Sequence, residues 1–368
     1  MRVCVNKKHA AKVSKPSAVA LYDTPKSLRL QKPPQVRKFL IIRLSSIGDI
    51  VLTSPVVRCL RKRYPDAEIH FCTKTGYEDI VRHNPYLNKI HLFDGKLSAL
   101  IRNLKAEHFD FVIDLHKNIR SYIIRYRLGL PSATFQKLNF KKWLLVRFKL
   151  DLMPNVHIVE RYFAAVNKLD VAYDSGGLDY FLPGAGDEVI SQLLQKHQNG
   201  FIAVAIGGKH KTKMLPVKKL ISVCQLLNEP VVLLGGYEDY NSGTEIVNAI
   251  GDSVFNACGS YSLHQSASLL KRAKAVITHD TGLMHIAAAL RRPIVSVWGN
   301  TVPEFGMTPL YPDNLQGLFA IFQVSGLKCR PCSKLGYEIC PKKHFDCMNQ
   351  QSETAIAESA NRFASSGF

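Results

Sequence analysis

Apolar positions along the chain gather into short runs, separated by polar stretches in which hydrophobic residues recur at helical spacing. The runs form two series. In the first, Phe39–Leu44 is almost wholly apolar, Glu68–Thr73 alternates, and Asp110–Leu115 is apolar around Asp114. Between them, residues Ile50–Tyr64 predict a helix, with Pro55 in its first turns and Pro65 at its end. His157–Leu169 predicts another. The second series runs through Phe201–Ile206, Pro230–Leu234, Lys274–Thr278 and Ile294–Trp298, with Ser262 placed to cap a helix. Short β-branched runs alternating with helices predict parallel sheets covered on both faces. The turn-rich stretch 174–186 separates the two series. The expected architecture is α/β, with two doubly wound Rossmann-like domains (38–182 and 183–368) facing one another across a cleft. A basic arm, residues 1–37, precedes them and is expected to be disordered.

In open parallel sheets, ligands bind beyond the carboxyl ends of the strands. Asp49 (in RLSSIGDIVLTSP), Gly207-Gly208, Gly235-Gly236, Asp280 (in HDTG) and Gly299 all fall at such ends. The glycine pairs allow a backbone to approach a phosphate closely, and a helix N-terminus following each favours an anion. Neither GxGxxG nor GxxxxGK[ST] occurs, which speaks against a dinucleotide-binding enzyme or a P-loop NTPase. Lys209, His210, Lys211 and Lys213 make either an exposed turn or a cation set that offsets pyrophosphate charge. Asp49 is either a helix cap or a carboxylate facing the cleft. Asp280 and Thr281 are either caps or ligand contacts, and His285 is either a core histidine or part of the site.

Charge adds a partner's sign. The 368 residues carry a formal charge of +20. Nine of the cations, among them Lys117, Arg120, Lys137, Lys141 and Lys142, fall within 115–150, which holds no Asp or Glu. This segment is a solvated basic face, or it meets nucleic acid, an anionic membrane surface or a multiply phosphorylated substrate. No helix-turn-helix signature or aromatic ladder supports the nucleic-acid reading. No apolar stretch approaches the roughly 18 residues of a membrane span. The first 38 residues hold ten Lys/Arg against Asp23 and no continuous apolar core, which predicts a cytoplasmic protein. Cys329, Cys332, Cys340 and Cys347 are spaced C-x2-C-x7-C-x6-C around His344, compatible with a structural zinc, a disulfide or free thiols.

SSIGD at 45–49, KMLP at 213–216 and DTGLMHIAAAL at 280–290 resemble the family 9 glycosyltransferases, which include the lipopolysaccharide heptosyltransferases. The resemblance runs from about Lys38 to about Met348. It implies a two-domain GT-B fold, a nucleotide-sugar donor bound mainly by the second domain, and inverting transfer with no catalytic metal or other cofactor. ADP-heptose is the donor it favours, and a lipid-linked, anionic core saccharide at the inner leaflet is the acceptor. By the same resemblance Asp49 is the general base, and Lys213 contacts the donor phosphates beside Gly207 and Gly208. Glu238 holds the ribose, with Asp239 competing for that register. Asp280 lies near the donor sugar, the amides of Thr281 and Gly282 meet phosphate, and His285 lines the pocket. The chain departs from the family where Met214 and Leu215 replace an aromatic-containing pair and where Ile206-Gly207 replaces Pro-Gly, so a relative using another nucleotide sugar remains an alternative.

Overall fold

The computed structural model describes residues 37–183, 193 and 195–367; the predicted basic arm lies outside them apart from Arg37. Two parallel sheets organise the chain. The first contains β1 (Lys38–Ile42), β2 (Glu68–Lys74), β3 (Lys89–Phe93), β4 (Phe111–Asp114) and β5 (Ser132–Thr134), in the order β3-β2-β1-β4-β5. The second contains β6 (Ile202–Ala205), β7 (Val231–Leu234), β8 (Val254–Asn256), β9 (Ala275–His279), β10 (Ile294–Trp298) and β11 (Phe319–Gln323), in the order β11-β10-β9-β6-β7-β8. Every pairing is parallel, from Phe39 beside Ile69 and Phe111 in the first sheet to Ile202 beside Val231 and Ala275 in the second.

Burial on both faces explains the unbroken apolar runs. In β1, Phe39 and Ile41 enter one core while Leu40 and Ile42 enter another on the opposite face. The first of these cores also takes in Met284, Ile286 and Ala287 of the second half, so one apolar cluster spans the two sheets.

The predicted helix over 50–64 is two helices. α1 (Ile47–Val51) is followed by Leu52 and Thr53, and then by α2 (Ser54–Arg63), with Pro55 in its first turn. Proline is favoured there because the amide it lacks would have no helical partner. The helix predicted over 157–169 is likewise shorter, spanning Ile158–Phe163 with a 3-10 turn at Asn167–Leu169.

The turn-rich stretch between the two series is firmly held where it is described. Arg58 of α2 is buried, donates to Asp174 at 2.7 and 2.9 Å and to the Gly177 carbonyl at 3.0 Å, and also pairs with Asp179. Arg291, from the second half, donates to the carbonyls of Leu178 and Gly176 at 2.8 and 2.9 Å. Two buried or half-buried guanidiniums thus clamp the connection from either side.

Strand order fixes where a ligand can sit. In the first sheet the chain reverses direction of travel between β1 and β4, and in the second between β6 and β9. Loops leaving adjacent strands at such a switch point separate and open a crevice. Asp49 follows β1 and His116-Lys117 follow β4; Gly207-Gly208 and Lys213 follow β6, and Asp280-Thr281 follow β9.

Candidate active site

After β1 the chain turns through Ser45 and enters α1, with Ser46 as N-cap in extended conformation. Asp49 is therefore the third residue of the helix rather than its cap. The Ser46 hydroxyl donates to Asp49 Oδ2 at 2.8 Å, and the Ser46 amide approaches the same oxygen at 3.3 Å. The other oxygen, Oδ1, lies 2.6 Å from the Arg43 guanidinium. Arg43 is itself buried and pinned, with Nε donating to the Ser45 carbonyl at 2.9 Å and Nη1 to the Tyr162 hydroxyl at 3.1 Å and to the Leu115 carbonyl. Burial opposes ionisation of Asp49, but Arg43 and the two Ser46 donors outweigh it and hold the carboxyl below the ordinary carboxylate range. Asp49 is an oriented, ionised carboxylate with about a quarter of its side chain open to the cleft.

Gly48 serves close approach. An added Cβ would lie 2.6 Å from His285 Cδ2 and 3.4 Å from Gly282 Cα. At Gly282 an added Cβ would lie 2.7 Å from Ile47 Cγ2. α1 and the helix Gly282–Ala289 therefore touch through their glycines, which brings the Asp49 turn against the helix that follows Asp280.

Across that contact, Lys213 Nζ is 2.6 Å from Asp280 Oδ2 and 3.2 Å from the Asp280 carbonyl. The Thr301 hydroxyl donates to the same Oδ2 at 2.8 Å. Gly208 packs against Thr281 and Met214, where a Cβ would stand 3.3 and 3.4 Å from their side chains. Met214 thus occupies a wall beside the glycine pair. The Thr281 amide donates to the His279 carbonyl at 2.8 Å, so it is already engaged. Helix geometry leaves the first-turn amides from Gly282 onward without intrahelical partners. His285 is buried with Nδ1 unpartnered, and its pKa is pushed down to about 4 by burial, against the pull of Asp280 and Asp49. The ring is neutral and feels both carboxylates.

Burial distinguishes Glu238 from Asp239. Asp239 is buried, accepts from the Gly236 amide at 2.9 Å and fills the space beside Gly207, so it ties the two glycine turns together. Glu238 is exposed beside Gly236 and has a free carboxylate to offer.

The basic segment divides. Lys142 is half-buried on α6 (Asn139–Phe148, the sixth helix of the first half), with Nζ 5.5 Å from the centre of the Phe305 ring. Burial and Arg161 lower its pKa to about 8, while Asp49 acts in the opposite sense. Lys137 is also half-buried, lowered by burial and by Arg43, with Asp114 and Asp49 opposing. Both are half-buried and feel the charge of Asp49, which a solvated basic face does not explain. Lys117 Nζ donates to the Phe135 carbonyl at 2.9 Å, whereas Arg120 is exposed and Lys141 half-exposed.

Cys329, Cys332, Cys340, Cys347 and His344 line one small cavity, and the four thiols are free. Cys329 Sγ lies 3.8 Å from His344 Nε2. Among the described residues, only His70, His91 and Glu107 bring three potential metal-ligand atoms within 4.8 Å of one another, so the cysteines frame a cavity without closing on a common point. Their segment supports the site. Arg330 donates to the carbonyls of Gly299 and Thr301 at 2.6 and 2.9 Å, and the Thr212 amide donates to the Tyr337 carbonyl at 3.0 Å.

Arg43 and Thr301 are the site residues that motif reading passes over. Each has a faint signal: Arg43 is the one charge in the first apolar run, and Thr301 follows the Gly-Asn turn after β10.

Residues 97–337 match the model of glycosyltransferase family 9 (heptosyltransferase). The chain is 26% identical over 291 residues to lipopolysaccharide heptosyltransferase 1 of Campylobacter coli, covering 72% of this chain and 84% of that protein. It is 27% identical over 299 residues to lipopolysaccharide heptosyltransferase 2 of Escherichia coli, covering 73% and 84%. In fold it is similar to a family 9 glycosyl transferase from Veillonella parvula, at a TM-score of 0.71 and 20% identity over 89% of this chain and 97% of that one. The E. coli ADP-heptose lipopolysaccharide heptosyltransferase II superposes at a TM-score of 0.68 and 21% identity, over 89% and 98%. With its two parallel sheets in a GT-B arrangement and a family match over most of its length, this chain is a glycosyltransferase and belongs to family 9.

Proposed function

We propose that this enzyme transfers heptose from ADP-heptose to the core saccharide of a lipopolysaccharide, with inversion at the transferred carbon. The observation that carries the reading is the juxtaposition across one contact, Gly48 on His285, of an oriented carboxylate and a lysine–aspartate pair beside a helix N-terminus. Residues 38–182 serve as acceptor domain and 183–368 as donor domain.

In this reading the acceptor hydroxyl forms a bond to the anomeric carbon as its proton passes to Asp49. A positioned base of this kind contributes about 10²–10⁴-fold. The bond from that carbon to the β-phosphate oxygen breaks, and ADP departs with the added negative charge. Lys213 and the first-turn amides at Gly282 meet that charge, a role taken by fixed cations and helix N-termini wherever charge develops in a dry site. Asp280, held by Lys213 and Thr301, takes the sugar hydroxyls in this reading, and the exposed Glu238 takes the ribose hydroxyls. Lys137 and Lys142 receive the anionic groups of the acceptor. No metal enters these steps. The enzyme would act at the cytoplasmic face of the inner membrane; no helix among the described residues is long and apolar enough to cross it.

Leu215, at the place where the family usually carries tryptophan, leaves an aromatic wall missing and favours, as a second reading, a related nucleotide sugar. Calorimetry with a panel of nucleotide sugars separates the two. ADP-heptose should bind more tightly than any UDP- or GDP-sugar, and a tighter UDP-sugar would overturn the assignment of donor.

A further inference from the structure

Soluble proteins rarely leave large contiguous apolar areas uncovered, and those that do mark surfaces of interaction. Two consecutive helices of the first half carry such areas. α5 (Ile119–Leu128, the fifth helix) buries Ser121 and Ile124 and points Ile119, Tyr122 and Tyr126 outward, at the spacing of a single helix face. On α6, Phe140, Trp143 and Phe148 are outward while Leu145 packs on Val302 and Phe305. These six side chains are between 44% and 78% exposed. The rings are ordered within each helix: Tyr122 and Tyr126 stack at 6.3 Å between ring centres, Phe140 and Trp143 at 5.9 Å, and Trp143 meets Phe148 edge-on at 5.2 Å.

We propose that the exposed aromatic faces of α5 and α6 seat this enzyme on an anionic lipid bilayer, inserting their rings at the level of the headgroups. The inference rests on the lipid-linked acceptor proposed above and adds the surface and the mode of attachment. The occupant follows from charge. Arg120 and Arg127 on α5 and Arg147 on α6 are exposed beside the rings, and 115–150 contains no acidic residue. Two copies of such a face would repel, whereas an anionic leaflet attracts each nearby cation, by roughly fivefold in affinity apiece. Aromatic rings rimmed by Lys and Arg are the composition of segments that lie in a membrane interface.

The placement also serves the reaction. The segments leading into the two helices are tied together, Lys117 just before α5 donating to the Phe135 carbonyl shortly before α6. α6 sets Lys142 over the buried Phe305 ring and turns Phe140 and Trp143 to solvent. An acceptor anchored in the leaflet would therefore have its saccharide next to Lys137 and Lys142, assigned above to its anionic groups.

Tryptophan fluorescence of the full chain tests this. The protein has two tryptophans, and Trp298 is fully buried, so Trp143 reports on the face. Vesicles rich in phosphatidylglycerol should shift the emission to the blue and shield it from acrylamide; phosphatidylcholine vesicles should do so far less. Tyr122→Ser with Tyr126→Ser, and separately Phe140→Ser with Phe148→Ser, should each weaken vesicle binding about tenfold. Both should melt like the parent and transfer sugar to a soluble, delipidated acceptor at the parent rate. No change of emission with anionic vesicles would overturn the proposal. So would binding that the aromatic substitutions leave intact and that salt abolishes, which would make the attachment one of charge alone. A blue shift produced by raising protein concentration without lipid would assign the face to a second copy instead. Vesicle binding contains no sugar, so absence of transfer activity would sink the proposed reaction and leave this surface standing.

Discussion

Replacing Asp49 by Asn keeps the shape of the side chain and one acceptor oxygen while removing its charge and its basicity. The consequences divide between catalysis and stability, and the geometry sizes both. If the carboxylate takes the acceptor proton, kcat should fall about 10²–10⁴-fold. Donor KM should change less than about threefold, since Lys213 and Asp280 are untouched. Stability should fall as well, because Arg43 is buried and loses the charged partner 2.6 Å away. Its three carbonyl and hydroxyl acceptors remain, so the loss is that of one charge-assisted hydrogen bond, about 1.5–3 kcal/mol, rather than that of an isolated buried charge. The pH dependence has a sign. Arg43 and Ser46 lower the Asp49 pKa below the ordinary 3.8, so the carboxylate is ionised and its contribution to stability present above that value. Both are lost only as pH falls through the lower, folded value. The acid limb of kcat/KM assigned to this group therefore lies below pH 3.8 in the wild type. The assay is steady-state transfer with saturating donor, paired with thermal melts on the same samples. Turnover of Asp49→Asn within threefold of wild type would refute the catalytic role, whatever the melts show.

The donor side, the acceptor lysines and the helix contact each give a separate expectation. Lys213→Ala should raise the barrier to ADP departure by about 2–4 kcal/mol, measured in kcat/KM for donor, with activity in excess EDTA equal to that without it. Lys142→Gln should raise acceptor KM several-fold at pH 7. Because burial and Arg161 hold the Lys142 pKa near about 8, acceptor KM of the wild type should climb as pH rises through that value, and the Gln variant should lose this dependence. Gly48→Ala places a methyl group 2.6 Å from His285 Cδ2, so the helices must part. A shift near 1 Å between base and donor costs about 10²-fold in kcat, with donor affinity by calorimetry little changed.

The strands legible in the sequence are the seven interior ones. β1, β2, β4, β6, β7, β9 and β10 all lie between neighbours, and most are buried on both faces, so their residues form recognisable apolar runs. β3, β5, β8 and β11 are the four edges of the two sheets. Their sequences KIHLF, SAT, VFN and FAIFQ are short or half-exposed, and an edge needs no continuous apolar pattern. The site followed the same logic. Asp49, Lys213 and Asp280, the residues of the proposed site, stand in local motifs at strand ends. The partners that set their behaviour come from elsewhere in the chain: Tyr162 on Arg43, Thr301 on Asp280, and Phe305 beneath Lys142. A motif carries no record of such contacts. Charge leaves more than one role open for a related reason, since composition cannot tell half-buried Lys142 from exposed Arg120.

The central claim is a covalent outcome, and mass spectrometry of the acceptor reads it directly. Purified enzyme, ADP-heptose and a heptose-deficient lipopolysaccharide core should give an acceptor heavier by a single heptose residue, with one ADP released per transfer. An acceptor of unchanged mass under these conditions, while another nucleotide sugar does extend it, would contradict the assignment.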